Sequence, residues 1–471
     1  MIQVYSKGVR FPNNLRRNGF FVDESGHCKL RRKKIHFIEY AFDPASKHHF
    51  FVVQNFFYMK HLVLFFSIAV SFLHQGFAQF DGTLLPLSQG NPIKLAAQLK
   101  PLIDEMGDRR IVGLGEGTHG TKEFNDIRIA IIKELVLKKG FNTICFENAF
   151  GDSYYLNKLI NSKEDITTGM KKYLLAIWQT AEIRNLLYWI RAYNKSHTNK
   201  VNFSGMDFPL MANTARIIKE ELKGKDSILE QNAGLLYNTT SYYDSIWTNQ
   251  NDTGFHFSFN AVIAKMKEAY LAALAIDSLS SAVGLKTSND FKTALLNFKC
   301  WYKAALGEEA TRDRYMADMV MQLAKRRKCR LIVWGHEVHL ALRSPYDDKS
   351  VGGAGGYIKS QCPSYYVLGL GTASGTFSGG RDRYDTRINE LYPNPLASVK
   401  EGTWDAAFEK ETSPSFLILF SQVKTPLPQM PLRVIGYGTG SDSYSDKNAL
   451  NELFDAYIFI RKTTAADHNY N

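Results

Sequence analysis

The sequence lacks the short motifs that identify several common classes of enzyme and binding protein. It contains five cysteines in 471 residues, and their spacing matches neither a CxxC motif nor a zinc ribbon. It contains no HExxH motif of the metalloprotease type. It also contains no GxSxG nucleophile elbow, since the match at residues 371–375 has its serine one place late. The usual anchors of zinc-finger, metalloprotease and serine hydrolase chemistry are therefore missing.

A large charge excess and long apolar runs are also missing from most of the chain. From Gln79 onward 47 Lys/Arg face 42 Asp/Glu, and this mild balance indicates no polyanionic partner such as DNA or RNA. The main apolar run, at residues 62–73, has about 12 residues, whereas a helix needs about 20 to span a bilayer. The hydrophobic content of 45% nevertheless fits a folded protein rather than a disordered one.

Residues 59–78 have the three parts of a secretory signal. A basic start precedes an apolar run at 62–70, and small residues lead up to Ala78. We expect cleavage after Ala78 and a periplasmic or secreted protein with no stable membrane span, the alternative being an uncleaved anchor. Because a signal peptide lies at a true N-terminus, residues 1–58, with ten Lys/Arg and four Asp/Glu, are interpreted as an unstructured upstream extension. Met59 is then the favoured start.

The rest of the chain alternates short apolar runs with segments of helical periodicity. Apolar runs of strand length are expected at 110–115, 143–147, 201–206, 330–335 and 364–370. A helix is predicted over 121–139, a Gly/Thr/Ser loop after residue 370, and mostly helices over about 208–328. The pattern predicts an α/β fold, in which a central, largely parallel sheet is flanked by helices, with a helical insertion or subdomain. We expect one domain over 79–465.

Titratable side chains stand at the predicted ends of these strands. They are Glu116, His119, Glu147, Asp207, His336 and His339. The active crevice of a parallel sheet lies beyond the carboxyl ends of its strands. Such an acid alone is often a helix cap, and a single histidine is often structural, but the whole set predicts an acid–base or ligand site.

The loop at residues 115–120 also matches the GxGxxG pattern of a dinucleotide site. It follows a predicted strand and precedes a helix, and Glu147 ends the next strand. Glu116 would then face an anionic pyrophosphate, which carries an electrostatic penalty. Nucleotide binding also leaves His336 and His339 without a role, so the acid–base interpretation is favoured.

Five separated motifs resemble, in order, those of the erythromycin esterase family. The matching segments are GEGTHGTKEF at 115–124, FE at 146–147, RDRYMA at 312–317, WGHEVH at 334–339 and FDA at 454–456. The resemblance extends from about Leu99 to Lys462. It implies a hydrolase without metal or cofactor that opens the lactone ring of macrolide antibiotics by attack of water.

The resemblance also implies roles for individual residues. His119 corresponds to the general base of the family's GExxHG motif, with Glu116 beside it. The other residues at positions similar to functional ones are Arg128, Glu147, His336 and His339. The sequence departs from the family pattern at Gly117, where a small residue such as Ala is expected, and at Glu337, where Asn is common. The signal peptide is a further departure, because a resistance enzyme that acts on cytosolic drug need not be exported.

The same chemistry is expected from the residue types themselves. Ester hydrolysis by water needs a base that titrates near working pH and a partner that fixes its tautomer, and His119 with Glu116 or Glu147 supplies both. Arg128, His336 or nearby backbone amides are candidates to stabilise the oxyanion. Two or three histidines with two glutamates also suit zinc or manganese. A metal-dependent hydrolase and a non-catalytic envelope binding protein therefore remain alternatives.

The substrate is expected to be a small-molecule ester or lactone. Aromatic side chains in the helical segments would suit the wall of a cleft for a bulky apolar substrate, and they suit an ordinary helical core equally well. These side chains are Trp178, Tyr188, Trp189, Phe255, Phe257 and Trp301.

The signal peptide gives the first testable prediction. N-terminal sequencing of the protein recovered from the periplasm or medium of an expressing cell should begin at Gln79, because Ala78 provides the small residue before the cleaved bond. Replacing Ala78 with Arg should leave uncleaved precursor. Mature protein that begins at or before Met59 would contradict the assignment.

Overall fold

The computed structural model describes residues 84–306, 311–326 and 328–468. The expected upstream extension, the signal peptide and its cleavage site lie outside these residues. In the described chain, no helix is both long enough and apolar enough to cross a membrane.

The centre of the molecule is one mixed sheet of nine strands. The strands are β1 Leu84–Pro86, β2 Ile111–Leu114, β3 Thr143–Ala149, β4 Asn202–Asp207, β5 Leu331–Trp334, β6 Tyr365–Gly380, β7 Leu391–Pro395, β8 Ser415–Leu419 and β9 Ala456–Thr463. Their order is β1-β8-β9-β6-β2-β5-β3-β4, with β7 paired to β6. The run from β9 to β4 is parallel, whereas β1, β7 and β8 pair antiparallel.

Helices flank this sheet. They are α1 Pro92–Gln98, α2 Lys100–Gly107, α3 Lys122–Lys139, α4 Phe150–Ile160, α5 Ile166–Tyr173, α6 Ala181–Ser196, α7 Ala212–Leu222, α8 Ser227–Asn249, α9 Phe259–Ala282, α10 Asn289–Leu306, α11 Arg312–Ala324, α12 Glu337–Leu340, α13 Ala354–Gln361, α14 Trp404–Glu409 and α15 Leu450–Leu453. The helices α7 to α11 lie between β4 and β5 along the chain. The predicted α/β class with a helical insertion is thus confirmed.

The parallel strands are apolar because both of their faces are covered. Every residue of β2, β3 and β5 is buried, as expected for strands in the middle of a helix-covered sheet. Their carboxyl ends, together with that of β4, lie at one edge of the sheet because all four strands run in parallel. The predicted strand-end residues therefore lie at this edge.

The helix α3 follows the β2 loop and has the expected amphipathic pattern. Phe124, Ile127, Ile131 and Leu135 are buried, and their spacing places them on one face of the helix. Glu123 lies in the first turn, and lysines lie in the last turn, which complements the helix dipole. The helix therefore has a fixed position from which Arg128 reaches the site.

Two strand ends differ from their predicted positions. The prediction of a Gly/Thr/Ser loop after residue 370 is wrong, because β6 continues to Gly380 and pairs with β9 and then with β7. Small residues in this segment let neighbouring backbones approach, and this pairing outweighs the weak strand preference of glycine. The strand β3 continues past Glu147 to Ala149 through an irregularity after Phe146.

The aromatic residues of the helical segments divide between core and surface. Trp178 and Trp301 are buried, whereas Tyr188 and Phe257 are exposed. Trp301 packs edge-on against Tyr243 with ring centroids 4.9 Å apart, as in an ordinary helical core. Of these, Trp178 contacts the candidate site.

Two helical glycines provide a matched test of the packing between α4 and α7. A Cβ on Gly151 would lie 2.1 Å from the backbone nitrogen of Thr214, whereas a Cβ on Gly234 of α8 would meet nothing within 4 Å. We expect Gly151→Ala to lower the free energy of unfolding by about 1–3 kcal/mol. Gly234→Ala should raise it by about 0.5–1 kcal/mol. Urea unfolding of both variants would measure this, and equal effects would contradict the close approach.

Candidate active site

The loop after β2 carries the first histidine of the site. His119 Nδ1 lies 2.8 Å from Glu116 Oε1, and the backbone N–H of His119 donates to Ile435 O at 3.0 Å. The Ile435 N–H in turn donates to Gly117 O at 2.8 Å, so the loop is held like a short strand. Within the described part of the chain, no hydrogen bond reaches His119 Nε2, which leaves this nitrogen available for proton transfer.

Arg128 holds the other oxygen of Glu116. Its Nη2 donates to Glu116 Oε2 and, at 2.8 Å, to Asn125 Oδ1. Its guanidinium carbon lies 3.8 Å from the centroid of the Trp334 ring, which is a cation–π contact. Burial lowers the pKa of Arg128 to about 10 against the opposing effect of Glu116, so the group stays protonated at neutral pH. Glu116 is thus fixed between a cation and His119.

Arg312, the first residue of α11, joins the ends of β3 and β4. Its Nη2 donates to Glu147 Oε1 at 2.9 Å and to Asp207 Oδ2, and its Nε donates to Asp207 Oδ1 at 3.1 Å. The contact with Asp207 is bidentate, the strongest geometry for such a pair. Burial alone would lower the pKa of Arg312, but Asp207 and Glu147 raise it above its usual range. The cation is therefore permanent.

His339 lies between two acids. Its Nδ1 is 2.7 Å from Asp313 Oδ1, and Asp313 Oδ2 accepts the Gly352 N–H at 2.9 Å. Its Nε2 is 3.3 Å from Glu147 Oε1 and 3.2 Å from Arg312 Nη1. Burial alone would lower the pKa of His339, but Glu147 and Asp313 raise it overall. Protonated His339 donates toward Glu147, and neutral His339 accepts from Arg312.

His336 has both ring nitrogens occupied by backbone groups. Its Nε2 lies 3.0 Å from Ile435 O, and its Nδ1 accepts the Val338 N–H at 3.3 Å. Burial, reinforced by the neighbouring histidines, lowers its pKa well below the usual value. The ring is therefore neutral, and its contact with His119 is edge-on at 4.7 Å. Its backbone N–H donates to Glu147 Oε2 at 3.0 Å.

Glu147 is the carboxylate that connects these groups. Burial alone would raise its pKa, but His339, Arg312 and His119 lower it overall, so the group stays ionised. Its backbone oxygen accepts the Trp178 Nε1–H at 2.9 Å. The Trp178 ring packs edge-on against His119 with centroids 5.2 Å apart. The tryptophan thus forms one side of the space around His119.

The structure brings all six predicted site residues into one connected cluster. They are Glu116, His119, Arg128, Glu147, His336 and His339. Asp207, the remaining strand-end residue of the sequence prediction, joins the cluster through Arg312. Two further members, Arg312 and Asp313, were not predicted as site residues. Trp178 was predicted only as an aromatic side chain suited either to a cleft wall or to a helical core, and it lies against His119. Arg312 and Asp313 belong to the RDRYMA motif, but they begin a helix and not a loop after a strand, so a search of strand ends does not find them.

The described residues contain no group of three or more His, Cys, Asp or Glu side chains placed to hold a metal ion. In this cluster the carboxylate oxygens turn instead toward arginines, histidines and backbone N–H groups. Each carboxylate is thereby held in place by hydrogen bonds from the protein itself.

The cysteines of the described chain lie outside this network. All four are buried and free. Burial raises the pKa of Cys300 to about 12 and also raises that of Cys329. Because the thiolate is the nucleophilic form, these residues suit packing and not chemistry.

The fold and the cluster define an α/β protein with a histidine–carboxylate site at the carboxyl ends of parallel strands. The model of the family described as Erythromycin esterase matches residues 136–463. The chain therefore belongs to the erythromycin esterase family, as its motifs predicted.

Similar proteins span nearly the whole of this domain. The chain is 23% identical over 414 residues to erythromycin esterase type II of Escherichia coli, which covers 82% of this chain and 97% of that protein. A crystal structure of a Bacillus cereus protein superposes with a TM-score of 0.71 at 21% identity, covering 84% of this chain and 99% of that one. The crystal structure of a succinoglycan biosynthesis protein superposes with a TM-score of 0.68 at 20% identity, covering 84% of this chain and 98% of that one.

A mutant of the erythromycin esterase EreC in its open conformation also has this fold. Its TM-score is 0.59 at 18% identity, with 81% of this chain and 97% of that chain covered. At these identities the structural likenesses establish the fold.

His339 gives the site a pH dependence with a definite sign. The pKa of His339 is raised in the folded protein. Its stabilising effect is therefore complete at pH values below the unfolded pKa of about 6.5, and it is lost as pH rises through the folded pKa. We expect the stability of wild type relative to His339→Gln to fall as pH rises above about 6.5, measured by urea unfolding at several pH values. The exposed His256, changed to Gln, should show no such trend. A difference for His339→Gln that is independent of pH would contradict the assignment.

Proposed function

We propose that the protein hydrolyses a carboxylic ester or lactone by attack of water that His119 activates, without a covalent intermediate. Family membership supports a hydrolase of the erythromycin esterase type. The observation that carries the proposal is the Glu116–His119 pair, in which Nδ1 is held at 2.8 Å and Nε2 has no partner among the described residues. A fixed tautomer with one free nitrogen is what a general base requires.

Exposure separates the groups that reach substrate from those that support them. His119, Glu147 and His339 are 8%, 8% and 9% exposed, whereas Glu116 and Arg128 are fully buried. The latter two are therefore positioning residues, and Arg128 acts through Glu116.

The reaction follows from the proton positions. Glu116 accepts the Nδ1–H of His119, so Nε2 takes a proton from water as the oxygen forms a bond to the carbonyl carbon. The imidazolium that forms is stabilised by Glu116 and by the ionised Glu147. As the tetrahedral intermediate collapses, the C–O bond to the alcohol breaks, and the proton on Nε2 passes to the leaving oxygen.

The developing oxyanion needs a hydrogen-bond donor or a positive charge near the carbonyl oxygen. His336 has no free ring nitrogen, and the Arg128 guanidinium lies behind Glu116. His339 has partners at both nitrogens as well, Asp313 at Nδ1 and Glu147 and Arg312 at Nε2. It contributes instead a positive charge, because its raised pKa favours the protonated form. We assign the stabilisation of negative charge to protonated His339 with Arg312 beside it.

The substrate is proposed to be a macrolide lactone or another ester of similar size. The Escherichia coli relative is an erythromycin esterase by name, and this supports erythromycin as the first substrate to try. The signal peptide predicted at residues 59–78 would support a site of action outside the cytoplasm. The proposal therefore includes esters of the cell envelope.

Replacement of the base tests this function. We expect His119→Ala to lower kcat by about 10²–10⁴-fold, because general-base catalysis contributes about that much, while the fold is retained. The measurement is mass spectrometry of erythromycin incubated with the purified protein, in which hydrolysis adds one water. His256→Ala, at an exposed histidine, is the matched control and should be fully active.

The same assay separates the alternatives. Hydrolysis that survives a chelator supports the proposed mechanism, whereas hydrolysis that a chelator abolishes and zinc or manganese restores would identify a metal-dependent hydrolase. Ligand binding by wild type without any product, from erythromycin or from simple esters and lactones, would identify a binding protein and refute the proposed reaction.

A further inference from the structure

Glu337 is a buried carboxyl group that the proposed reaction does not use. It is the first residue of α12 and is fully buried beside the loop that carries Glu116 and His119. Its backbone N–H donates to Glu116 O at 2.9 Å, and its Oε2 accepts the Leu370 N–H at 3.1 Å. One residue therefore connects α12, the β2 loop and β6.

Gly117 leaves the room that this carboxyl group occupies. Its N–H donates to Leu370 O at 2.8 Å, so the loop also contacts β6 directly. A Cβ on Gly117 would lie 2.9 Å from Glu337 Oε1, 2.9 Å from Leu370 O and 3.2 Å from Arg433 O. All three distances are shorter than ordinary contacts, so a side chain at position 117 and the Glu337 carboxyl compete for one space.

Within the described residues, no positively charged group compensates Glu337. Among the described residues, Oε1 has no hydrogen-bond partner, although it is buried. Burial raises the pKa of Glu337 well above its usual value, Asp405 and Glu116 raise it further, and the Leu370 N–H opposes this only in part. The other titratable groups that face it are tyrosines, at Tyr346 and Tyr457.

An uncharged carboxyl group fits this position. Because Oε2 accepts the Leu370 N–H, the proton belongs on Oε1, where the carbonyl oxygens of Leu370 and Arg433 border the same space. A neutral acid can donate as well as accept, whereas a carboxylate would leave a buried charge without a partner.

We propose that Glu337 is a positioning residue, an uncharged acid wedged between the Glu116–His119 loop and β6, for which Gly117 provides the space. Its effect on catalysis rests on the function proposed above and is exerted through Glu116. Its protonation and its contact with Gly117 do not depend on that function.

Kinetics of two variants test the positioning role. Glu337→Gln keeps an acceptor for Leu370 and a donor at the other atom, and should retain kcat within about 3-fold. Glu337→Ala removes the carboxyl group that lies between the Glu116–His119 loop and β6. It should lower kcat by about 10²-fold with little change in KM, as displacement of a catalytic group by about 1 Å does. Equal activity of the two variants would overturn the positioning role.

Two measurements do not require turnover. The ring ¹H–¹⁵N signals of His119, identified by their absence from His119→Ala, should shift in Glu337→Ala and be restored in Glu337→Gln. The pKa of Glu337 is raised in the folded protein. Protonated Glu337 therefore stabilises the fold fully below about pH 4.3, the pKa of an unfolded glutamate, and this stability is lost as pH rises through the folded pKa. The Tm of Glu337→Gln relative to wild type should therefore increase from about pH 5 to about pH 8. A Tm difference that does not change with pH would overturn the uncharged state.

A double-mutant cycle tests the shared space. Gly117→Ala should lower Tm less in the Glu337→Ala background than in wild type, because one of its three close contacts is gone. Gly436→Ala is the control, since a Cβ there would meet nothing within 4 Å. Additive effects of the two changes would overturn the pairing. If wild type shows no turnover on any ester, the proposed function fails, while the spectra, the pH series and this cycle still decide the role of Glu337.

Discussion

The ionised carboxylates Glu116, Glu147 and Asp207 at the carboxyl ends of the strands must be compensated, because each has been removed from water. Arg128 compensates Glu116, and Arg312 compensates Glu147 and Asp207. The arginines are buried as well, so each charge fixes the position of its partner. Loss of one member leaves a buried charge without a partner, at a cost of about 3–5 kcal/mol. The geometry around the histidines therefore depends on ion pairs that join separate segments of the chain.

The three histidines show how the surroundings of one residue type decide its use. His119 has one nitrogen bound by a carboxylate and one without a partner among the described residues. His336 has both nitrogens bound by backbone groups and is held neutral. His339 lies between Asp313 and Glu147, which favour its charged form. Under the proposed function a base, a structural group and a cation thus lie side by side, although the sequence presents three equivalent side chains.

The sequence predicts the local part of this arrangement and misses the distant part. The strand runs and the Glu116–His119 pair were predictable, because the continuous apolar pattern and a spacing of three residues are local. The contact of Glu147 with Arg312 spans 165 residues, and that of His336 with Ile435 spans 99, so neither leaves a local pattern. The sequence prediction ended β6 at residue 370 for the same reason. The glycine-rich half of this strand is stabilised by pairing with β7 and β9, and the strand preference of its own residues is weak.

A single carbonyl group in the C-terminal part of the chain holds two of these histidines. Ile435 O accepts from the His119 backbone and lies at 3.0 Å from the His336 ring, while the Ile435 N–H holds Gly117. During synthesis the residues that bear the chemistry emerge long before Ile435. A nascent chain therefore carries its histidines in an unfinished arrangement until nearly the whole domain has been translated, and a product truncated before this point lacks the group that orders the loop.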